Sequence, residues 1–106
     1  MTETPNLNYI KELSGEDTDF EKKFIDIIKQ EFPVEVNTYC HHIEQNQWDM
    51  AAEIVHKLKH KFNILGMEQA YGLAVTYEEN LRKRDTGLDK DFKEILNDIS
   101  QYLRSI

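Results

Sequence analysis

Hydrophobic residues recur at intervals of three and four along nearly all of this chain, which is the spacing of helices that bury one face. The clearest example is the segment 51–66, AAEIVHKLKHKFNILG. Its apolar stripe, extended one turn upstream, contains Trp48, Ala51, Val55, Leu58, Phe62 and Leu65. No run of strand length alternates apolar and polar residues. The pattern therefore predicts an all-α protein.

Breaks between the apolar stripes predict five helical segments. We expect a short one at about 7–13, a long one that follows Ser14 and ends near 44, and three more at about 46–63, 67–83 and 88–106. The expected buried stripe of the long segment is Phe20, Phe24, Ile27, Ile28, Phe32, Val36, Tyr39 and Ile43. We predict an antiparallel four-helix bundle with a short extra N-terminal helix.

Polar residues and glycine predict how these helices begin and end. Ser14 is expected to cap the long helix, with Asp17 at the acidic position three residues later. Pro33 interrupts a stripe that keeps its register, which indicates one bent helix, with two separate helices as the alternative. Asn46 is expected to cap the third helix, and Gly87 to end the fourth. Residues 1–6 are polar and are expected to fray.

Composition narrows the class of protein. The chain has 106 residues, enough for the single domain 1–106 that we predict but too few for two. Its net charge of −7 argues against nucleic acid as a partner. No apolar run is long enough to span a membrane, and the N-terminus lacks the character of a signal peptide. The single cysteine, Cys40, fits a reducing compartment, so we expect a cytoplasmic protein. A monomer is the default expectation.

One histidine lies beside the apolar stripe of the third helix rather than within it. At 100° per residue, His56 is roughly 100–120° from the centre of the stripe. Its neighbours on this flank are Ala52, Lys59, His60 and Asn63. The sequence therefore predicts an accessible imidazole on a rigid helix, with small and basic groups around it.

This flank suits the chemistry of phosphoryl transfer to an imidazole, which needs a neutral nitrogen, access for a bulky partner and nearby positive charge. The ordinary pKa of a histidine side chain, about 6.5, leaves a neutral nitrogen available near pH 7. Ala52 is small, which favours access. Lys59 lies one turn after His56, where its ammonium is in reach of phosphoryl oxygens.

The motif H-K-L-K-x6-G, which begins at His56 and ends at Gly66, resembles the phosphoacceptor segment of histidine-containing phosphotransfer (HPt) domains. The resemblance extends over most of the chain. The segment 9–36 is similar to the short first helix, acidic link and proline-bearing helix of such domains. The helix after the motif matches at Gly66, Met67, Ala70, Leu73, Ala74, Tyr77 and Glu78.

The resemblance implies a function and a set of partners. His56 is expected to accept the phosphoryl group, with Lys59 beside it, in a multi-step two-component phosphorelay. The expected partners are receiver domains of a hybrid histidine kinase or a response regulator, and Mg²⁺ would belong to the receiver, so we expect no cofactor here. The chain has no Gly-rich phosphate loop, so we do not expect it to bind ATP. The resemblance implies a phosphocarrier and not an ATP-dependent kinase.

Two positions depart from the HPt pattern. His60 stands where glycine is usual, and we expect it to lean away from the acceptor; it would otherwise hydrogen-bond the phosphoryl group or restrict the choice of partner. Glu78 stands where some members have a glutamine, and it either orients His56 through a ring N–H or is plain helix surface. Short side chains are expected to leave room for the partner: Ala52, Asn63 and Gly66.

Two other classes of protein compete with this interpretation. Glu53 and His56 have the Glu-x-x-His spacing of di-iron bundles, and His56 with His60 would suit a metal on one helix face. The chain has no second Glu-x-x-His motif, so we expect no metal site. The other class is a helical interaction module without phosphotransfer. Lys57 and Lys61 are expected only to complement the negative end of their helix.

Overall fold

The helices form where the apolar spacing predicts them. The computed structural model describes residues 3–106, and in that range it contains five helices and no strand, which confirms the all-α class. The helices are α1 (Asn8–Ser14), α2 (Thr18–Glu44), α3 (Trp48–Ile64), α4 (Glu68–Arg82) and α5 (Asp89–Ser105). None of these described helices has the length and apolar character needed to cross a membrane.

The helices share one apolar core. α3 packs more extensively against α4 than against any other helix, and it also contacts α2; α5 contacts α2 and α4, and α1 packs on α2. The predicted stripe of α3 is completely buried except at Trp48, which is half-buried. Burying a large apolar side chain stabilises the fold by about 1.5–3 kcal/mol. The largest fully buried side chains are Tyr39, Tyr77, Phe32, Phe62 and Phe92.

A buried hydrogen-bond chain joins three helices inside this core. Tyr77 of α4 donates to the hydroxyl of Tyr39 in α2 over 2.6 Å, and Tyr39 donates to the carboxylate of Asp89 in α5. Phe92 packs against both tyrosine rings. Burial and the bond to Asp89 raise the pKa of Tyr39, and burial raises the pKa of Tyr77 to about 12. Both hydroxyls therefore stay protonated and donate at neutral pH.

Lys61 has a different role from the predicted one. Its side chain is only 11% exposed, and its Nζ lies 2.9 and 3.1 Å from the two carboxylate oxygens of Glu35 in α2. The hydrogen bond is to Oε2. A second carboxylate, that of Glu31, lies 3.2 Å away. Lys61 thus joins α3 to α2, and the prediction that it serves only the end of its own helix is wrong.

Four helices are followed by a residue with positive φ. Gly15 follows α1 with φ of 58° and ψ of −123°, and the residues after three other helices share one pattern of backbone hydrogen bonds. These residues are Asn46 after α2, Gly66 after α3 and Arg84 after α4, with φ of 55°, 74° and 64°. In each case this residue and the next donate their amides back to carbonyls of the last turn. Asn46 therefore closes α2 instead of capping α3. The prediction that Gly87 ends α4 is also wrong, because Arg84 already occupies the left-handed position.

The start of α2 also differs from the prediction. Asp17, not Ser14, is its cap, and the Asp17 carboxylate accepts the amide of Phe20 over 3.0 Å. Ser14 remains in the last turn of α1, where its hydroxyl donates to the carbonyl of Ile10. The helix continues unbroken through Pro33, which confirms one long helix rather than two.

Two predicted core residues of α2 lie at the surface. Phe20 is 42% exposed and Ile27 is 53% exposed. α2 has 27 residues, whereas α3, α4 and α5 have 17, 15 and 17. At 1.5 Å per residue α2 is roughly 40 Å long and its neighbours about 25 Å, so part of its apolar stripe has no helix to pack against.

The N-terminal segment is held against the turn between α3 and α4. The carboxylate of Glu3 accepts the amides of Gln69 and Ala70 over 2.9 and 3.0 Å, which caps the positive end of α4. The amide of Asn6 donates to the carbonyl of Leu65 over 2.8 Å. The predicted fraying is therefore wrong for residues 3–6, and residues 1 and 2 lie outside the described range.

We predict opposite effects for alanine at two glycines. Gly66 has a φ of +74°, and a Cβ there would lie 2.5 Å from the Asn6 side chain, so Gly66→Ala should destabilise the protein by at least about 1–2 kcal/mol. Gly72 lies within α4 with open space around it, so Gly72→Ala should stabilise it by about 0.5–1 kcal/mol. Urea unfolding measures both; equal effects would refute the role assigned to the turn.

Candidate functional site

His56 lies on the flank of α3 that borders α4. The apolar face of α3 faces the core, which turns this flank outwards, and the His56 side chain is 51% exposed. Glu78, from the third turn of α4, lies opposite it. The extensive packing of α3 against α4 fixes the two side chains relative to each other. The site is therefore built on two helices and not on a loop.

A carboxylate holds one nitrogen of the imidazole. Nδ1 of His56 lies 3.0 Å from Oε1 of Glu78. Since a carboxylate only accepts hydrogen bonds, this contact places a proton on Nδ1 and leaves the lone pair of the neutral ring on Nε2. Of the two alternatives for Glu78, the contact with His56 is the one that the structure contains.

Glu78 also lies beside two positively charged side chains, those of Lys59 and Arg82. Its side chain is 17% exposed, and Oε1 also accepts a hydrogen bond of 3.0 Å from Nζ of Lys59, while Arg82 lies 3.9 Å from Oε2. Partial burial alone would raise the pKa of Glu78, but the hydrogen bonds from Lys59 and His56 outweigh it and hold that pKa below its usual value. The carboxylate is therefore charged at neutral pH.

His60 does not lean away from His56, so that expectation is wrong. The two Nε2 atoms are 3.4 Å apart, and the rings are nearly perpendicular with centroids separated by 4.9 Å. Residues four apart lie one above the other on a helix, which brings the two rings together. In the neutral pair, His60 can donate an N–H to the free lone pair of His56.

Lys59 lies at the site, but its side chain is mostly buried and its ammonium is bound to Glu78. Its side chain is 13% exposed, its Nζ donates to Glu78, and the same atom lies 6.0 Å from the centre of the Tyr71 ring. The ammonium and His56 therefore share one carboxylate oxygen. Positive charge thus lies beside the imidazole at short range.

The three residues predicted to give access differ in their surroundings. Ala52 is completely buried, so it belongs to the core and not to the open approach. Gly66 is covered by the side chain of Asn6 and forms the turn after α3. Asn63 is exposed. Only Asn63 of the three thus faces the surface beside the site.

Sequence reasoning missed two neighbours of the site. Arg82 lies one helical turn after Glu78, and this i, i+4 spacing of opposite charges was the available signal. Tyr71 packs near Lys59 from α4, and no local pattern indicates that contact. The described part of the chain has no group of three or more His, Cys, Asp or Glu residues positioned to hold a metal ion.

Comparisons of the chain with protein-family models, curated proteins and solved structures find no match. The site consists of an exposed imidazole, a carboxylate that orients it, and a cation that shares this carboxylate. A nucleophilic nitrogen with one fixed tautomer is the chemistry that this arrangement offers.

We predict that Glu78 makes the free energy of unfolding depend on pH in the acidic range. Because the folded pKa lies below the ordinary 4.5, its contribution is complete well above that pH and is lost as the pH falls below it. The free energy of unfolding of the wild type should therefore exceed that of Glu78→Gln near pH 7, and the difference should shrink between about pH 5 and pH 3.

Urea unfolding at several pH values measures this difference. Glu79→Gln is the matched control, because it removes the same charge from the next, exposed position. Among residues 3–106 Glu79 forms no ion pair, so a small effect is expected. A stability difference for Glu78→Gln that stays constant down to pH 3 would contradict the assigned ion pairs.

Proposed function

We propose that this protein is a histidine phosphocarrier of the HPt type, which relays a phosphoryl group between receiver-domain aspartates through Nε2 of His56. One observation carries the proposal: an exposed imidazole has its Nδ1 bound to a helix-borne carboxylate, so its nucleophilic nitrogen points away from that partner. A histidine that merely contributes to solubility does not need such a partner.

The proposed reaction uses this arrangement directly. The lone pair of His56 Nε2 attacks the phosphorus of a receiver aspartyl phosphate, the N–P bond forms, and the P–O bond to the aspartate breaks with its electrons. The proton on Nδ1 stays in place, and the imidazole becomes positively charged. Glu78 stabilises that charge through the existing hydrogen bond. Transfer to the next receiver is the reverse reaction.

Lys59 has a part in the same proposal. Its ammonium shares Oε1 of Glu78 with His56, so a rotation of its flexible stem brings it to phosphoryl oxygens on the neighbouring nitrogen. When the imidazole ring becomes positive, its repulsion of Lys59 favours that rotation. The phosphoryl group would then be neutralised without a metal in this protein, and Mg²⁺ would belong to the receiver.

The packing of the helices supports the corresponding fold. α2 contacts α3, α3 contacts α4, α4 contacts α5, and α5 contacts α2, which is the closed ring expected of a four-helix bundle. α1 packs on α2 outside this ring. We propose a single HPt-like domain, monomeric and cytoplasmic, whose partners are receiver domains and neither nucleic acid nor a membrane.

Phosphorylation by phosphoramidate tests the acceptor. The wild type should gain one acid-labile, base-stable phosphoryl group, seen in the intact mass, and His56→Gln should gain none while keeping its circular dichroism spectrum. His41→Gln is the matched control, since His41 is an exposed histidine of α2. An adduct that persists in His56→Gln would refute the assignment. No adduct in folded wild type would instead favour a helical interaction module.

The role of Lys59 is tested by the rate of the same reaction. Lys59→Ala should slow phosphorylation roughly tenfold, the equivalent of a charge-assisted hydrogen bond of about 1.4 kcal/mol. Its melting temperature should change little, because Glu78 keeps its contacts with His56 and Arg82 when Lys59 is removed. Lys57→Ala removes an exposed lysine from the same helix and should leave the rate unchanged. Equal phosphorylation rates for Lys59→Ala and Lys57→Ala would refute the proposed role of Lys59 in the reaction.

A further inference from the structure

We propose that His56 and His60 form a reversible zinc site, and that Zn²⁺ bound there blocks phosphorylation of His56. The binding half of this inference stands on the geometry of the two imidazoles alone. The inhibition half rests on the proposed function. The candidate ligand atoms are the two Nε2 atoms, which lie on adjacent turns of α3.

The separation of the two nitrogens matches what the metal requires. Zinc binds imidazole nitrogen at about 2.0–2.1 Å with tetrahedral angles, so two nitrogens on one zinc ion are about 3.3–3.4 Å apart. The two Nε2 atoms are 3.4 Å apart. The rings are nearly perpendicular, at 86°, so they do not stack face to face and leave the two nitrogens close together. Little rearrangement of the α3 backbone is therefore needed to bind the ion.

Glu78 provides the support that histidine ligands of zinc commonly have. A metal-bound histidine usually donates its other ring N–H to a carboxylate, which fixes the tautomer and makes the ligand nitrogen more basic. Nδ1 of His56 makes this contact with Glu78 over 3.0 Å. The lone pair on Nε2 thus exists before the metal arrives. His60 completes the pair when its own proton is on Nδ1.

The charges and ligand number around the pair indicate a weak, exchangeable site. Lys59 and Arg82 lie near Glu78 and offset its negative charge. Two histidines supply two of four zinc ligands, and water would supply the others. Both imidazoles are exposed, so zinc would enter and leave without unfolding. Such a site suits regulation better than structural support.

Zinc and phosphorus need the same electron pair. The lone pair of His56 Nε2 either coordinates the metal or attacks the phosphoryl group, and it cannot do both at once. Phosphorylated His56 has no lone pair on Nε2 and is not a ligand. Metal binding and phosphorylation are therefore mutually exclusive, and His60, at the position where HPt domains usually have glycine, supplies the second ligand.

Zinc affinity is the first measurement. Metal-free protein is titrated with ZnCl₂ in competition with a chromogenic chelator. Glu78→Gln should weaken binding by roughly tenfold, as is typical when a carboxylate behind a histidine ligand is lost, and His60→Asn by more. His41→Asn removes an exposed histidine from α2 and should bind zinc like the wild type. Equal affinities for wild type and His60→Asn would overturn the site.

Inhibition is the second measurement. Each protein is labelled with phosphoramidate with and without ZnCl₂, and its rate without zinc is divided by its rate with zinc, so that differences in basal rate cancel. The ratio should be large for the wild type, should return to one with excess chelator, and should be near one for His60→Asn. A wild-type ratio near one at saturating zinc would overturn the inhibition.

The two failures can be told apart. Loss of zinc affinity in His60→Asn, together with no phosphoryl adduct in any protein, would support the metal site and refute the phosphocarrier. A normal adduct in the wild type with equal zinc affinity in all variants would support the phosphocarrier and refute the metal site. The binding assay needs no phosphorylation, so it decides the metal site in either case.

Discussion

The burial of one face of α3 against α4 and α2 determines most of what this protein presents at its surface. Once Ala51, Val55, Leu58 and Phe62 are in the core, the rotation of α3 about its axis is set. His56 is then carried outwards beside α4. A slide or rotation of α3 by a single residue would bury the imidazole or move it away from Glu78. The chemistry of the site thus depends on hydrophobic packing that does not touch it.

Polar contacts hold the helices in this arrangement at three places. Lys61 joins α3 to α2, the chain of Tyr77, Tyr39 and Asp89 joins α4, α2 and α5, and Glu3 caps α4. Lys61, the two tyrosine hydroxyls and Glu3 each have a partner, which is what makes a buried or partly buried polar group tolerable. Apolar packing alone allows neighbouring helices to slide, whereas these pairs are satisfied in one register only.

The site itself has one carboxylate shared by an imidazole and an ammonium ion. Glu78 orients His56, attracts Lys59 and is kept charged by both. Sharing one acceptor couples the two groups, because a change of charge on the ring alters the force on Lys59. His60 adds a second imidazole, whose Nε2 lies 3.4 Å from Nε2 of His56. The four side chains therefore form one connected group around the imidazole of His56.

The spacing of apolar residues was enough to locate the five helices and the outward flank that carries His56, because helical periodicity is a local property of the chain. The resemblance to HPt domains added the expected partners of His56. The ends of the helices were harder to predict. Asn46 and Arg84 adopt left-handed backbone, and the residues around them in the sequence do not indicate this. Contacts between distant segments, such as Glu3 with α4, came only from the tertiary structure. The length of α2 relative to its neighbours likewise left Ile27 exposed, because burial depends on what packs opposite a residue as well as on its own polarity.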